Sequence, residues 1–232
     1  MIATIHQPEH LPWTGFFHKM MCADIYIYLD HVQYKKGNVQ NRNRIIGQHG
    51  DPIWVTVPLK RSGSMQDTIM AKEITDNAWT DKYLSSIQLS YQDTRYFGQY
   101  FAKLRKIICD EHSGLADLNI KIIDFFRREL DINTPVVRSS NLNVSGSKSD
   151  LIVDICKQVK AESYITGPAG LDYLDLDLFD KNNIELFLHQ YVPPVYETGC
   201  FFSGLSTLDL LFNQGERSRN IIQNSGNIQK VV

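Results

Sequence analysis

The sequence predicts an α/β fold, a mainly parallel sheet with flanking helices and a helical insertion or lobe. Three observations carry that expectation. Residues 2–5 (IATI) and 25–29 (IYIYL) are short runs rich in β-branched and apolar side chains, with a helical pattern between them. Strand, helix and strand within about 30 residues make a βαβ unit, which implies parallel strands joined by a right-handed crossover. Strands and a helix alternate again from "NTPVVRSS" to "NIELFLHQY", and the stretch between the two halves, about 80–132, reads as helical.

In chain order, the run 2–5 ends in polar residues and Pro8, as a first buried strand would. Residues 13–23 fit a helix, with Phe16, Phe17, Met20 and Met21 on nearby faces. Asp30 and His31 follow the strand 25–29. "QYKKGNVQNRNRI" is a polar segment, "PIWVTVPL" an alternating strand closed by Pro58, and "KRSGSMQDT" a surface loop by composition. Helices are expected over 81–92, 97–110 and 115–130. "NTPVVRSS" is a strand after a turn, 148–160 an amphipathic helix, and "SYITG" a strand running into Gly167-Pro168-Ala169-Gly170. "NIELFLHQY" is a strand ending near His189, and 205–212 a last short helix. No repeat and no Pro-, Gly- or Ser-rich linker divides the chain. Residues 1–232 are therefore expected to form a single α/β domain, with a helical lobe at about 80–132 and a loosely ordered tail at about 216–232.

Composition is that of an ordinary globular chain: 232 residues, 43% hydrophobic and 22% charged. With 24 basic and 26 acidic residues the net charge of -2 gives no global attraction to nucleic acid or anionic lipid. Cys22, Cys109, Cys156 and Cys200 form no CxxC pair, and the first three lie in apolar helical stretches, so buried free thiols are expected. No basic segment precedes an apolar run at the N-terminus and no membrane-spanning window is present, which points to a reducing, cytoplasmic setting.

In open α/β sheets, sites collect at the carboxyl ends of the strands. Polar residues recur there: His6 and Gln7, Asp30 and His31, Ser139 and Ser140, Gly167 to Gly170, and His189. A neutral imidazole at a strand end can act as general base, because its ordinary pKa lies near neutrality. On that reading His6 is the base and Asp30, at the end of the neighbouring strand, orients its ring. The alternative is a capped histidine that satisfies loop amides. His6 and His10 have the spacing of a zinc pair on a helix, but Pro8 and Pro12 oppose a helix there, and no metal is expected.

Lys35, Lys36, Arg42 and Arg44 surround Asn41 and Asn43. Either this segment binds the phosphates of a nucleotide-linked substrate or coenzyme, guanidinium being a bidentate phosphate partner, or it is a solvated loop. The glycines of "ITGPAGLDY" mark a close ligand approach or a plain tight turn. A nucleophilic Cys200 would need a base that the sequence does not identify. Trp13, Trp54 and Trp79 are either core residues or stacking platforms.

"HQPEHLPWTGFFHKM", "LDHVQYKK", "NRNRI", "WVTVPLK", "RYF", "YITGPAGLDYL" and "LSTLDLLFNQG", with the Trp79–Tyr83 pair, follow one another as in the WbqC-like proteins, which the chain resembles over about 2–215. The resemblance implies work in bacterial surface-polysaccharide biosynthesis on a nucleotide-linked or lipid-linked sugar. The strongest blocks of the family fall on His6-Gln7-Pro8, Asp30, Gln33, Asn41-Arg42-Asn43 and Asp209. This chain has Asp30-His31-Val32-Gln33 where the family mostly has Asp-Asp-Val-Gln, and Gly37-Asn38-Val39 where it has Arg-Gly-Trp.

The leading expectation is an N-acyltransferase, an enzyme placing an acyl or aminoacyl group on the amino group of a nucleotide-linked sugar. His6 and Asp30 are its catalytic residues. Gln7, Gln33, Lys36, Asn41, Arg42, Asn43, Arg44, Ser139, Gly167, Gly170 and His189 are its substrate-binding residues. The donor would be a coenzyme A or acyl-carrier-protein thioester, with no tightly bound cofactor, no nucleic acid or membrane partner, and a homodimer as an option. Competing expectations are a nucleotidyl-transferring or adenylate-forming enzyme, which would use ATP or CTP with magnesium, and a non-catalytic sugar-binding protein of the same pathway.

Overall fold

The structure, a computed structural model, describes residues 1–61, 67–197 and 202–231. Cys200 and most of the loop expected after Pro58 lie outside them. The chain starts as the alternation demands: β1 (Ile2–His6), α1 (Thr14–Met21), β2 (Ile25–Tyr28). β1 and β2 are parallel neighbours, with Ala3 opposite Ile25 and His6 opposite Tyr28.

A hairpin follows, β3 (Arg42–Ile46) and β4 (Pro52–Thr56), paired antiparallel as a separate two-stranded sheet. The sequence reading left 42–46 in a polar segment. The strand forms because Asn43 and Ile45 point inward while Arg42 and Arg44 point outward, so one face is buried despite the charges. Helices α2 (Thr80–Tyr91), α3 (Phe97–Cys109) and α4 (Leu115–Glu129) come next. Then follow β5 (Val136–Arg138), α5 (Lys148–Gln158), β6 (Ser163–Thr166), α6 (Pro168–Leu171), α7 (Leu176–Lys181) and β7 (Glu185–Tyr191). The chain closes with α8 (Thr207–Gln214), α9 (Ser218–Gln223) and β8 (Gly226–Lys230).

The main sheet has six strands in the order β5-β2-β1-β6-β7-β8, all parallel except the β7–β8 pair. β8 and α9 correct the expectation of a loose tail: Ile222 is buried in the core, and β8 covers the edge that β7 would otherwise expose.

Each face of the sheet carries its own core. Tyr26 and Tyr28 face Phe16, Phe17 and Met20 of α1 together with α3, α4 and α8. Ala3, Ile5 and Ile27 face Leu151, Ile155 and Cys156 of α5 and Phe179 of α7. Each fully buried Phe, Leu or Ile contributes about 1.5–3 kcal/mol. The helices of 80–132 share the first core continuously, with the rings of Phe17 and Phe126 5.2 Å apart. Cys156 is buried and Cys22 partly so, but Cys109 is exposed. The apolar stripe of α3 runs through Tyr100, Leu104 and Ile108, and the next residue turns about 100° away from it. No helix among the described residues is long and apolar enough to cross a membrane.

Because α1 lies on one face and α6 and α7 serve the other, the connections leaving β1 and β6 diverge. The topological switch point falls between these two strands, and in open α/β sheets ligands bind outside the carboxyl ends of the strands at such a point.

Candidate functional site

His6 ends β1, and the loop after it is held from several sides. Gln7 Oε1 accepts from Gln40 Nε2 (2.6 Å), Pro8 O from Asn119 Nδ2 (2.9 Å), and Leu11 O from Asn43 Nδ2 (2.7 Å). The His10 amide donates to Val39 O (2.9 Å). Leu11, fully buried, is kept at φ 43, a left-handed conformation that a branched side chain adopts only under constraint. So many anchors on six residues give a preorganised loop.

The loop positions Glu9 beside His6. His6 Nδ1 lies 3.0 Å from Gln7 O. A carbonyl oxygen only accepts, so Nδ1 carries the proton and the lone pair is on Nε2. Nε2 is 3.6 Å from Glu9 Oε1, longer than a hydrogen bond, and the His6 side chain is 30% exposed. Burial, then the charge of Lys19, and also that of His189, hold His6 far below the usual imidazole value, against the pull of the Gln7 carbonyl. The ring is neutral at physiological pH.

Glu9 and Lys19 are each only 6% exposed. Burial pushes the Glu9 carboxyl up to about 7 despite Lys19, and pushes the Lys19 ammonium down to about 8 despite Glu9. They feel each other without forming an ion pair, and Glu9 Oε2 and the Tyr26 hydroxyl have no partner among the described residues. His189 of β7 completes the group, with Nε2 2.8 Å from His18 Nδ1 and its ring stacked on Tyr191. Acidic, basic and imidazole groups shifted by burial and concentrated at a sheet's switch point mark a candidate functional site.

An unpaired carboxylate of this kind carries a stability cost with a definite sign. The folded Glu9 prefers its proton, so stability is lost as pH rises from the ordinary value of 4.5 through about 7. Glu9→Gln should gain on the order of 2–3 kcal/mol over the parent at pH 8, and the advantage should shrink at pH 5. Urea unfolding at both pH values measures this, and an equal gap at both would refute it.

The other expected residues fall into three groups. Asp30 does not orient His6. Its Oδ2 accepts from Arg138 Nε (2.7 Å) and Ser140 Oγ (2.9 Å), and its Oδ1 from Ser139 Oγ (3.1 Å) and Ser140 N (3.0 Å). Burial raises its carboxyl, but Arg138 and Ser140 outweigh that and leave it below its usual value. The carboxylate therefore ties the end of β2 to β5, with His31 Nδ1 joining at Ser139 Oγ (2.6 Å). Gln7, Asn41, Asn43 and Gly170 are structural too: Asn41 bridges Tyr34 and Val57, and Gly170 leaves the space taken by Thr166 Oγ1. His10 uses both ring nitrogens on Asn119 and Tyr83, so it cannot share a metal with His6. Asp209, near the start of α8, is buried and accepts from Tyr196 Oη (2.5 Å).

A third group faces outward on the hairpin. The Arg42 guanidinium lies 4.3 Å above the Trp54 ring and that of Arg44 lies 5.9 Å away, while Trp54 is 49% exposed. Each arginine donates to one carbonyl, Arg42 to Gly37 and Arg44 to Ser203, and neither pairs with a carboxylate among the described residues. Lys36 and Gln33 are also exposed, Gln33 bridging to Thr68. Gly167 precedes α6 with open space on its side-chain face. Trp13 packs on Tyr191 and Trp79 on Tyr83, which makes both framework residues.

Glu9 and Lys19 were missed by sequence reasoning, although a signal was present. In "TGFFHKMM" a lysine is flanked by Phe16, Phe17, Met20 and Met21 in a short helix with little polar face, and the structure buries every residue from Thr14 to Met20.

A profile of the WbqC-like protein family matches residues 7–221. A relative from Mycobacterium tuberculosis (strain ATCC 25618 / H37Rv), described as uncharacterized protein Rv1507c, is 28% identical over 225 residues, 94% of this chain and 96% of the relative. No solved structure matches the chain. The family match starts beside His6 and takes in Glu9, Lys19, His189 and both hairpin arginines, well over half of the molecule, and the chain belongs to the WbqC-like protein family.

Proposed function

We propose that the chain is a transferase that places an acyl or aminoacyl group on the amino group of a nucleotide-linked sugar, with His6 as general base. One observation carries the role of His6: the Gln7 carbonyl fixes the proton on Nδ1 and leaves the Nε2 lone pair free, on a partly exposed side chain at the sheet's switch point. The sugar and the acyl group rest on the family resemblance alone. In the proposed step the amine nitrogen attacks the thioester carbonyl and its proton passes to His6 Nε2. The carbon–sulfur bond then breaks, and the departing thiolate takes the proton from His6.

Arg42, Trp54 and Arg44 fit the nucleotide. Two guanidinium groups with unused donors beside an exposed indole suit phosphates and a stacked base. The hairpin adjoins the loop after His6 through Asn43 and Leu11, on the face opposite the two arginines. Nucleotidyl transfer is the second reading, because a switch-point crevice suits a nucleotide. Its histidine pattern would need His10 in the crevice, and His10 is sealed by Asn119 and Tyr83.

Calorimetric titration with nucleotide sugars, coenzyme A thioesters, and ATP with magnesium separates these readings. The Arg42→Gln, Arg44→Gln double variant should weaken nucleotide-sugar binding by about 1.5–3 kcal/mol per charged hydrogen bond lost. Unchanged affinity would return the hairpin to a solvated surface.

A further inference from the structure

We propose that Glu9 and Lys19 form a subsite for an acceptor carrying both an amine and an anionic group, the amine held between Glu9 and His6 Nε2 and the anion on Lys19. This rests on the transfer reading and names its substrate class. Two charges of opposite sign sit in one buried site, each nine-tenths enclosed, without meeting as an ion pair. A buried ion pair relieves part of its desolvation penalty by contact, and an unpaired one does not. Glu9 Oε2 and the Tyr26 hydroxyl both lack partners among the described residues. A ligand ammonium would satisfy the carboxylate and, by giving Glu9 one proton, become the neutral amine that attacks, while a ligand phosphate or carboxylate would satisfy the Lys19 ammonium. A neutral sugar would leave both charges unmet.

The same arrangement couples binding to chemistry. Lys19 is the main charge that keeps His6 from taking a proton. An anion on Lys19 offsets that charge, so His6 becomes a stronger base when the acceptor is in place, although burial, the larger cause, still holds it below the usual value. A lone amine would occupy the site without this activation.

The probes are glucosamine 1-phosphate, glucosamine, N-acetylglucosamine 1-phosphate and galactosaminuronic acid, titrated into the full chain and into Glu9→Gln and Lys19→Met. The wild type should bind glucosamine 1-phosphate roughly 10- to 100-fold more tightly than glucosamine or the N-acetylated phosphate, as loss of one charged hydrogen bond implies. Comparison with the uronic acid tells whether phosphate or carboxylate is the preferred anion. Lys19→Met should lose the advantage of the phosphate and keep its affinity for glucosamine. Glu9→Gln should lose the advantage of the amine and keep its affinity for the N-acetylated phosphate. Both substitutions remove an unpaired buried charge, and melting curves verify folding. Equal affinity for all probes, or a uniform loss in both variants, overturns the proposal. Acyl transfer without this binding pattern overturns only the subsite, and the binding pattern without transfer from any thioester overturns only the transfer reading.

Discussion

Replacing His6 with asparagine is expected to lower turnover by about 10²- to 10⁴-fold, the usual contribution of a general base. Acceptor and donor binding should change little, because Glu9, Lys19 and the hairpin arginines remain. Asparagine can still donate toward the Gln7 carbonyl, but it offers no basic lone pair where Nε2 stood. The ring also packs edge-on against Phe16 at 5.2 Å, so a small loss of melting temperature is expected. Since His6 is held far below the usual imidazole value, the acid limb of the pH profile, read in Glu9→Gln so that the carboxyl pushed up to about 7 does not titrate over it, should lie below 6.5, and deeper still before the acceptor binds. A His6→Asn protein that keeps most of its turnover removes the base from the mechanism. An acid limb at the ordinary imidazole value shows that another group is titrating.

The first βαβ unit was legible in the sequence because both strands are continuous apolar runs and the helix between them has its own period. The carboxyl edge was legible because polar residues stop each run abruptly. β3 was hidden by composition: "RNRII" carries two cations, and only its alternation reveals a buried face. β8 was hidden because its side chains are mostly polar and its role is to finish an edge, a tertiary reason that leaves little local trace. His6 and His189 were placed at the carboxyl edge of the sheet by strand-end reasoning. Glu9 and Lys19 escaped it, since they come from a loop and a helix that only the folded crossover brings against β1. Asp30 misled for the converse reason. A carboxylate at a strand end looks catalytic, yet its partners come from β5 and the turn after it, more than a hundred residues later.

That relocation makes Asp30→Ala the second large effect, and it falls on stability. The carboxylate is fully buried and accepts four hydrogen bonds, one from a guanidinium and two from hydroxyls. Alanine strands the partners. Removing one member of a buried pair costs about 3–5 kcal/mol, and because Arg138 is 34% exposed the lower end applies. Asp30→Asn keeps the shape and one accepting oxygen, so its loss should be smaller. The pH dependence has a fixed sign. The folded carboxyl lies below its usual 3.8, so the stabilisation is complete above that value and fades as pH falls through the lower, folded one. The gap between wild type and Asp30→Ala should therefore narrow in acid. Turnover per folded molecule of Asp30→Asn, measured well below its melting temperature, should stay near that of the parent. A normal melting curve with lost turnover would put Asp30 back among the catalytic residues. A lowered melting curve with preserved turnover fixes it as the clamp between β2 and β5.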